Sequence, residues 1–318
     1  YVGFDLTATS LHIGSLVPMM VMAWLQRAGH RPIAVLGGGT TMVGDPSGKD
    51  QTRELLEPHI IAQNKAAIRQ QLSRFITLDS GRENDALMLD NGDWLLDLQY
   101  IDFLRDVGKH FSVNRMLTAE GTRQRLERNQ GLSFIEFNYH LLQSYDFLVL
   151  NEKYDCVLQV GGDDQWFHIL GGVDLIRRVN GETACGFTVP LMTTASGKKM
   201  GKTESGAVWL NPDLVPPYDY FQYWVNVADA DVIRFLKMYT FMDLDKVEEL
   251  STLEGAEIRR AKQVLAYEAT AILHGHDNAG KARKAAERLF AGSGEVADMP
   301  QRSVQFPILA IDAYVEAG

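Results

Sequence analysis

Apolar positions follow two periods along the first two thirds of the chain. Runs rich in β-branched and aromatic residues at 2–6, 32–36, 155–160 and 187–191 read as strands. Between them the apolar period lengthens to that of a helix, over 10–28, about 53–75, 94–107, 132–150 and 164–179. Ser10 is placed to cap the first helix, and Pro18 inside it is expected to bend or loosen it. Glycines close two of the strands, Gly37 to Gly39 after the second and Gly161 with Gly162 after the third. Strands alternating with helices predict the α/β class, a parallel sheet covered by helices. Beyond Pro216 and Pro217 the strand runs stop, and 218–287 reads as several helices, among them 230–239 and 258–274. The expected division is an α/β domain over 1–215, a smaller helical domain over 216–290, and a remainder, 291–318. In that remainder Gly292-Ser293-Gly294 resembles a linker and the rest the start of a further module. There is no internal repeat and no low-complexity segment.

Composition narrows this only a little. The chain has 318 residues, 46% hydrophobic and 23% charged, as globular proteins do. No apolar run reaches membrane-spanning length, so no membrane association is expected. A formal net charge of −10 speaks against broad nucleic-acid binding, and against DNA as a partner. An RNA contact would need local basic patches or a segment outside this sequence. Arg259, Arg260 and Lys262, or the cluster from Lys281 to Arg288, could serve as such patches, though each reads first as an ordinary solvated helix face. Cys156 and Cys185 match no metal spacing and read as reduced thiols, which favours the cytosol. There is no signal-peptide pattern, and the chain starts at Tyr1 without Met and stops at Gly318, so both native ends are expected to lie beyond it.

Three stretches carry nucleotide signals. In LHIGSL, residues 11–16, His12, Gly14 and Ser15 sit at a predicted helix start, with Asp5 and Thr7 just before them. A helix N-terminus offers free N–H groups and partial positive charge to a phosphate, and Gly14 leaves room for a ring against the backbone. Alone, HIG reads first as a capped helix start, with His12 on the surface and Gly14 incidental. The loop GGGTTMVGDPSGKD, 37–50, is glycine-rich without being a P-loop, because Val43 stands where its first glycine belongs and Asp50 follows Lys49. Its DPSG also suits a plain turn, yet Lys49 and Arg53 could meet a polyphosphate. The third stretch, KKMGKT at 198–203, lies between small residues. Lysines in such a loop can close over a departing pyrophosphate or merely be solvated.

A polar stripe points to a pocket. In LSFIEFNYHLLQSYDFLVL, 132–150, Tyr139, Gln143 and Asp146 share one helix face while apolar residues occupy nearly every other direction. A helix apolar almost all round is buried, so its polar stripe needs partners. QVGGDDQW, 159–166, adds Gln159, Gly162, Asp164 and Gln165 at a strand's carboxyl end, where open parallel sheets bind ligands.

In this order and separation, HIGS and KMGKT resemble the HIGH and KMSKS signatures of class I aminoacyl-tRNA synthetases. YVGFDLTATSLHIGS, GDPSGK, YHLLQSYD, QVGGDDQW and KMGKTESG narrow the resemblance to the bacterial-type tyrosyl-tRNA synthetase family, strongly over 1–210. The resemblance implies a Rossmann-like catalytic domain, a C-terminal RNA-binding module introduced by 291–318, and a homodimer in the cytoplasm. It also implies ATP, L-tyrosine and tRNA(Tyr) as partners, with Mg²⁺ on the ATP phosphates. Tyr1 and Asp146 would bind the substrate phenol; Asp45, Tyr139 and Gln143 its ammonium; Gln165 would sit near its carboxylate, with Thr40 and Gln159 behind. Thr7, His12, Lys49, Arg53, Lys199 and Lys202 would stabilise the leaving polyphosphate. Asp5, Gly14, Ser15, Gly162 and Asp164 would line the adenosine site, which Lys202 also serves. Ser15 stands for the second histidine of the first signature and Gly201 for the serine of the second; the first shortens reach and the second should loosen the loop. Three other readings share some of these features: a tryptophan-specific relative, an RNA-binding or intron-splicing protein that keeps the fold without the chemistry, and a generic nucleotidylyltransferase with HIGH-like chemistry, which would leave the tyrosine pocket unexplained.

Overall fold

The computed structural model describes residues 1–45, 56–128, 131–195, 197, 200, 202–203 and 206–291. Lys49, Arg53 and Lys199 lie outside the described residues, as do the linker and module expected from 292 onward; of Lys202 only the backbone is described. By its internal contacts the chain forms two units, Tyr1–Val215 with Arg234–Tyr239, and Pro216–Ile233 with Thr240–Gly318.

In the first unit, β1 (Val2–Phe4), β2 (Ile33–Leu36) and β3 (Leu87–Asp90) pair in parallel in the order β1-β2-β3. A second parallel pair joins β4 (Leu158–Gly162) to β5 (Cys185–Val189). The two meet where Val160 N donates to Tyr1 O at 2.8 Å. β1 therefore has β2 on one side and β4 on the other, the switch point beside which open α/β sheets form a crevice. Four buried residues of β2, Ile33 to Leu36, form the sheet's driest strand, as expected of a strand covered on both faces.

The helices of this unit are α1 (Leu16–Arg27), α2 (Pro58–Leu72), α3 (Gly92–Leu95), α4 (Tyr100–Asp106), α5 (Val113–Met116), α6 (Glu120–Glu127), α7 (Phe134–Tyr154) and α8 (Trp166–Val179). α7 is set by a full capping box: Ser133 Oγ accepts from Glu136 N, and Glu136 accepts from Ser133 N at 3.0 Å. The same Glu136 carboxylate takes Arg125 Nη1 at 2.9 Å, both side chains being buried. α8 lies close against α7 because Gly172 has no side chain; a Cβ there would stand 2.8 Å from the Phe147 ring.

Several expectations are corrected here. Ser10 does not cap the first helix. Its Oγ donates to Leu11 O at 2.7 Å and accepts from Leu210 N and Asn211 N at 3.2 and 3.0 Å. The helix starts later, after a 3-10 turn at Ile13–Ser15 whose cap is His12. Pro18 is then the third residue of α1, where amides lack intrahelical acceptors in any case, so it forces no bend. β3 escaped the pattern because none of its residues is fully buried. The helix expected over 94–107 is two pieces, broken around Leu96–Gln99, where the backbone at Gln99 is extended. α7 is less buried at its start than its composition implies, Phe134 being 69% exposed.

The second unit is helical, with α9 (Pro217–Val225), α11 (Leu244–Ser251), α12 (Ile258–His274) and α13 (His276–Ala291); α10 (Asp229–Tyr239) contributes residues to each unit. α9, α12 and α13 enclose the buried Tyr220, Phe221, Trp224 and Leu265. No helix among the described residues is long and apolar enough to cross a membrane. Both cysteines are free thiols, Cys156 buried and Cys185 exposed.

Candidate active site

A cavity of about 660 Å³ opens at the carboxyl ends of β1 and β4. Every predicted site residue whose side chain is described lines it. From the first βα unit come Tyr1, Asp5, Thr7, His12, Gly14 and Ser15, and from the loop after β2 come Thr40 and Asp45. α7 supplies Tyr139, Gln143 and Asp146; β4 and the turn after it supply Gln159, Gly162, Asp164 and Gln165. The helical periodicity of α7 aims three side chains into one crevice, and the pleat of β4 exposes its end to the same space.

The inner end is closed by Asp146, 4% exposed. One carboxylate oxygen accepts from Trp94 Nε1 at 2.7 Å and the other from Asn91 Nδ2 at 2.9 Å. Burial raises its pKa to about 7; these two bonds pull it down, while Asp5 and Asp90 push it up. Tyr1 lies beside it, buried, with its ring edge-on to Phe147 at 5.4 Å. Its hydroxyl donates to Gln143 O at 3.5 Å. Burial, then the Asp146 charge and Cys156, hold the Tyr1 phenol well above its usual pKa, so it stays a donor.

Asn91 and Trp94, which hold the Asp146 carboxylate, were missed by pattern reading. They follow β3, itself unrecognised, in the sequence LDNGDW, where Trp94 looks like an ordinary helix start. Asn91 is the hub of a network. Its Oδ1 accepts from Gly39 N at 2.8 Å, and its Nδ2 donates to Thr40 Oγ1 at 3.0 Å as well as to Asp146. Thr40 Oγ1 donates to Asp5 Oδ1 at 3.2 Å, and Tyr139 OH reaches the same oxygen at 3.4 Å. Thr40 thus links the inner end of the cavity to the Asp5 side.

Farther out, Gln165 Nε2 donates to Asp45 Oδ2 at 3.0 Å, joining β4's turn to the loop after β2. The Asp164 carboxyl is raised by partial burial and by Asp45. Gln159 is 3% exposed, and its Oε1 is buried with no hydrogen-bond partner. A buried amide oxygen left without a donor is an incomplete bond that a ligand can complete.

At the mouth, His12 Nδ1 accepts from Gly14 N at 3.0 Å. That bond fixes the tautomer, placing the imidazole proton on Nε2. His12 also bridges to Trp209 across the chain. A Cβ on Gly14 would come within 2.8 Å of His12 Cε1, so the first use of that bare backbone is to let this ring fold over it. Ser15 makes no side-chain capping bond.

The sequence matches, over residues 1–291, the family model described as tRNA synthetases class I (W and Y). It is 55% identical over 301 residues to a tyrosine–tRNA ligase of Clostridium botulinum, covering 94% of this chain and 73% of that one. It is 53% identical over 321 residues to a tyrosine–tRNA ligase of Ruegeria pomeroyi, covering 100% of this chain and 77% of the relative. Among solved structures, the fold matches a C-terminally truncated mitochondrial tyrosyl-tRNA synthetase of Aspergillus nidulans with a TM-score of 0.80 and 30% identity, over 91% of this chain and 85% of that one. A tryptophanyl-tRNA synthetase from Encephalitozoon cuniculi, bound to tryptophan, matches at a TM-score of 0.60 and 11% identity, a likeness of fold alone.

Proposed function

The chain belongs to the class I tRNA synthetases of the tryptophan and tyrosine branch, and from that premise we propose how its cavity divides the work of activating tyrosine. The activity is that of a tyrosine–tRNA ligase. The tyrosine carboxylate attacks the α-phosphate of ATP, forming tyrosyl-adenylate and releasing pyrophosphate; the tyrosyl group then passes to the terminal ribose of tRNA(Tyr). No covalent enzyme intermediate is needed, so the protein's task is to position two anions and stabilise the charge that develops.

Buried Asp146 at the closed end carries the reading. Each of its oxygens has one donor already and keeps a lone pair for a substrate hydroxyl. The phenol of tyrosine donates there, and Tyr1 OH turns from Gln143 O, a long 3.5 Å contact, towards the phenol oxygen. Phenylalanine would shut the remaining lone pairs of Asp146 away from water with no donor to meet them, which is the source of discrimination. The ammonium is taken by Asp45, Tyr139 and Gln143. Gln165 faces the carboxylate side from its bond to Asp45, and the open acceptor of Gln159 takes a substrate donor with Thr40 behind.

At the mouth, Asp5, Gly14, Ser15, Gly162 and Asp164 hold the adenosine, Asp164 on the ribose. Thr7, the Nε2–H of His12, Lys49, Arg53, Lys199 and Lys202 meet the phosphates; the last four supply charge where pyrophosphate departs. Among the described residues no group of three or more His, Cys, Asp or Glu side chains could hold a metal ion. Mg²⁺ would enter with ATP, on its phosphates. Exposed apolar side chains on α4, α5 and the first turn of α7, including Ile101, Val113 and Phe134, support a homodimer. The bacterial relatives support a cytoplasmic setting, and the length beyond this chain in those relatives leaves room for a tRNA-binding module.

The test is tyrosine-dependent exchange of pyrophosphate into ATP without RNA. Tyrosine supports exchange, while tryptophan at the same concentration does not and phenylalanine does so orders of magnitude more weakly. Exchange with tryptophan would make the cavity an indole site. No exchange with any of the three would leave a binding protein.

A further inference from the structure

Behind the ammonium end of the cavity sits a pair of imidazoles that the chemistry above does not use. His140 on α7 and His168 on α8 are both buried, and their Nδ1 atoms are 3.2 Å apart. A hydrogen bond between two Nδ1 atoms requires opposite tautomers, one ring donating Nδ1–H and the other offering its lone pair. Burial first, then His168 and Arg115, drive the pKa of His140 down to about 2. Burial also lowers His168, against the opposing pull of Asp45 and Asp164. Two neutral polar rings in a dry interior lose hydration that apolar side chains would not, so the bond between them specifies an arrangement.

That arrangement is tightly enclosed. Gly171 on α8 has no side chain to keep His140 away; a Cβ there would stand 2.3 Å from His140 Cε1 and 2.5 Å from Ser144 Oγ. Phe167 covers the His140 ring at 4.4 Å, and Phe111 meets it edge-on at 5.3 Å. His140 is thereby a fixed post. On the other side, His168 meets the Tyr139 ring edge-on at 5.6 Å and stands within electrostatic reach of Asp45 and Asp164.

We propose that His168, held by His140, is a positioning residue for the ammonium end of the tyrosine site, fixing the Tyr139 ring and the setting of Asp45. This rests on the reading that the cavity activates tyrosine. A neutral imidazole at 168 leaves the Asp45 carboxylate to the substrate, whereas an imidazolium would answer it and oppose the incoming ammonium.

Two near-isosteric variants test the role in tyrosine-dependent pyrophosphate exchange at pH 8. His168→Asn keeps an amide where Nδ1 stands; His168→Gln moves it to the place of Nε2 and loses the bond to His140. His168→Gln raises the KM for tyrosine about tenfold, and His168→Asn keeps it within about threefold, with kcat and the KM for ATP near wild type in both. A merely structural role would lower kcat with the folded fraction and leave the tyrosine KM alone. Equal tyrosine KM values in the two variants and the wild type, or a loss confined to kcat, overturn the proposal. A folded wild type with no tyrosine-dependent exchange overturns the underlying reading, and the role of His168 with it.

Discussion

Asp146→Asn is expected to fold and to lose about 10²–10³-fold in kcat/KM for tyrosine. The carboxylate offers acceptors on both oxygens, to Trp94 Nε1, Asn91 Nδ2 and the substrate phenol. An amide has one oxygen. Its NH₂ must face at least one of those donors, so a buried donor is left unmatched and the charge that strengthened the other bonds is gone. The pH dependence separates this from a shape effect. The wild-type carboxyl titrates at about 7, raised by burial from 3.8. Below that it is protonated, so the KM for tyrosine rises as pH falls from 8 to 6 in the wild type and stays flat in the variant. Stability moves in the opposite sense. Between 3.8 and about 7 the folded protein holds a proton that the unfolded chain has released, so this group's stabilising contribution is complete at low pH and is lost as pH rises through about 7. Asp146→Asn removes that slope, as thermal melts at pH 5.5 and 8 would record.

The second large effect is expected at His12, and two amides divide its roles. His12→Ala lowers kcat for tyrosyl-adenylate formation about 10²-fold while the KM for tyrosine is unchanged, because the ring acts only where phosphate charge develops. Its Nδ1 is occupied by Gly14 N, so the donor to phosphate is Nε2–H. His12→Asn restores an acceptor for Gly14 N at the start of the turn but offers nothing at the Nε2 position. His12→Gln does the reverse. Recovery of kcat by Gln and not by Asn, read from single-turnover rates, identifies the phosphate donor. Recovery by Asn alone would mean that His12 works as a cap.

What was legible follows from where the signals lie. Tyr139, Gln143 and Asp146 fall on one face of a long, strongly periodic helix, and the structure puts all three into one cavity. β4 ends in polar residues at a strand's carboxyl edge, which parallel sheets use for ligands. The partners that hold Asp146 were invisible, because Asn91 and Trp94 come from the end of a half-buried strand with no clear alternation, and they reach α7 across more than fifty residues. Ser10 misled for a similar reason. Its hydroxyl suits a local cap, yet amides two hundred residues away claim it. The His140–His168 bond likewise depends on two helices meeting at Gly171, a contact that periodicity does not encode.

A crystal structure with bound tyrosine tests the central claim most directly. The phenol oxygen is expected within hydrogen-bond distance of the Asp146 carboxylate and the Tyr1 hydroxyl, with the ammonium against Asp45 and Tyr139. A tyrosine ring bound elsewhere, with Asp146 still answered only by Asn91 and Trp94, would contradict it.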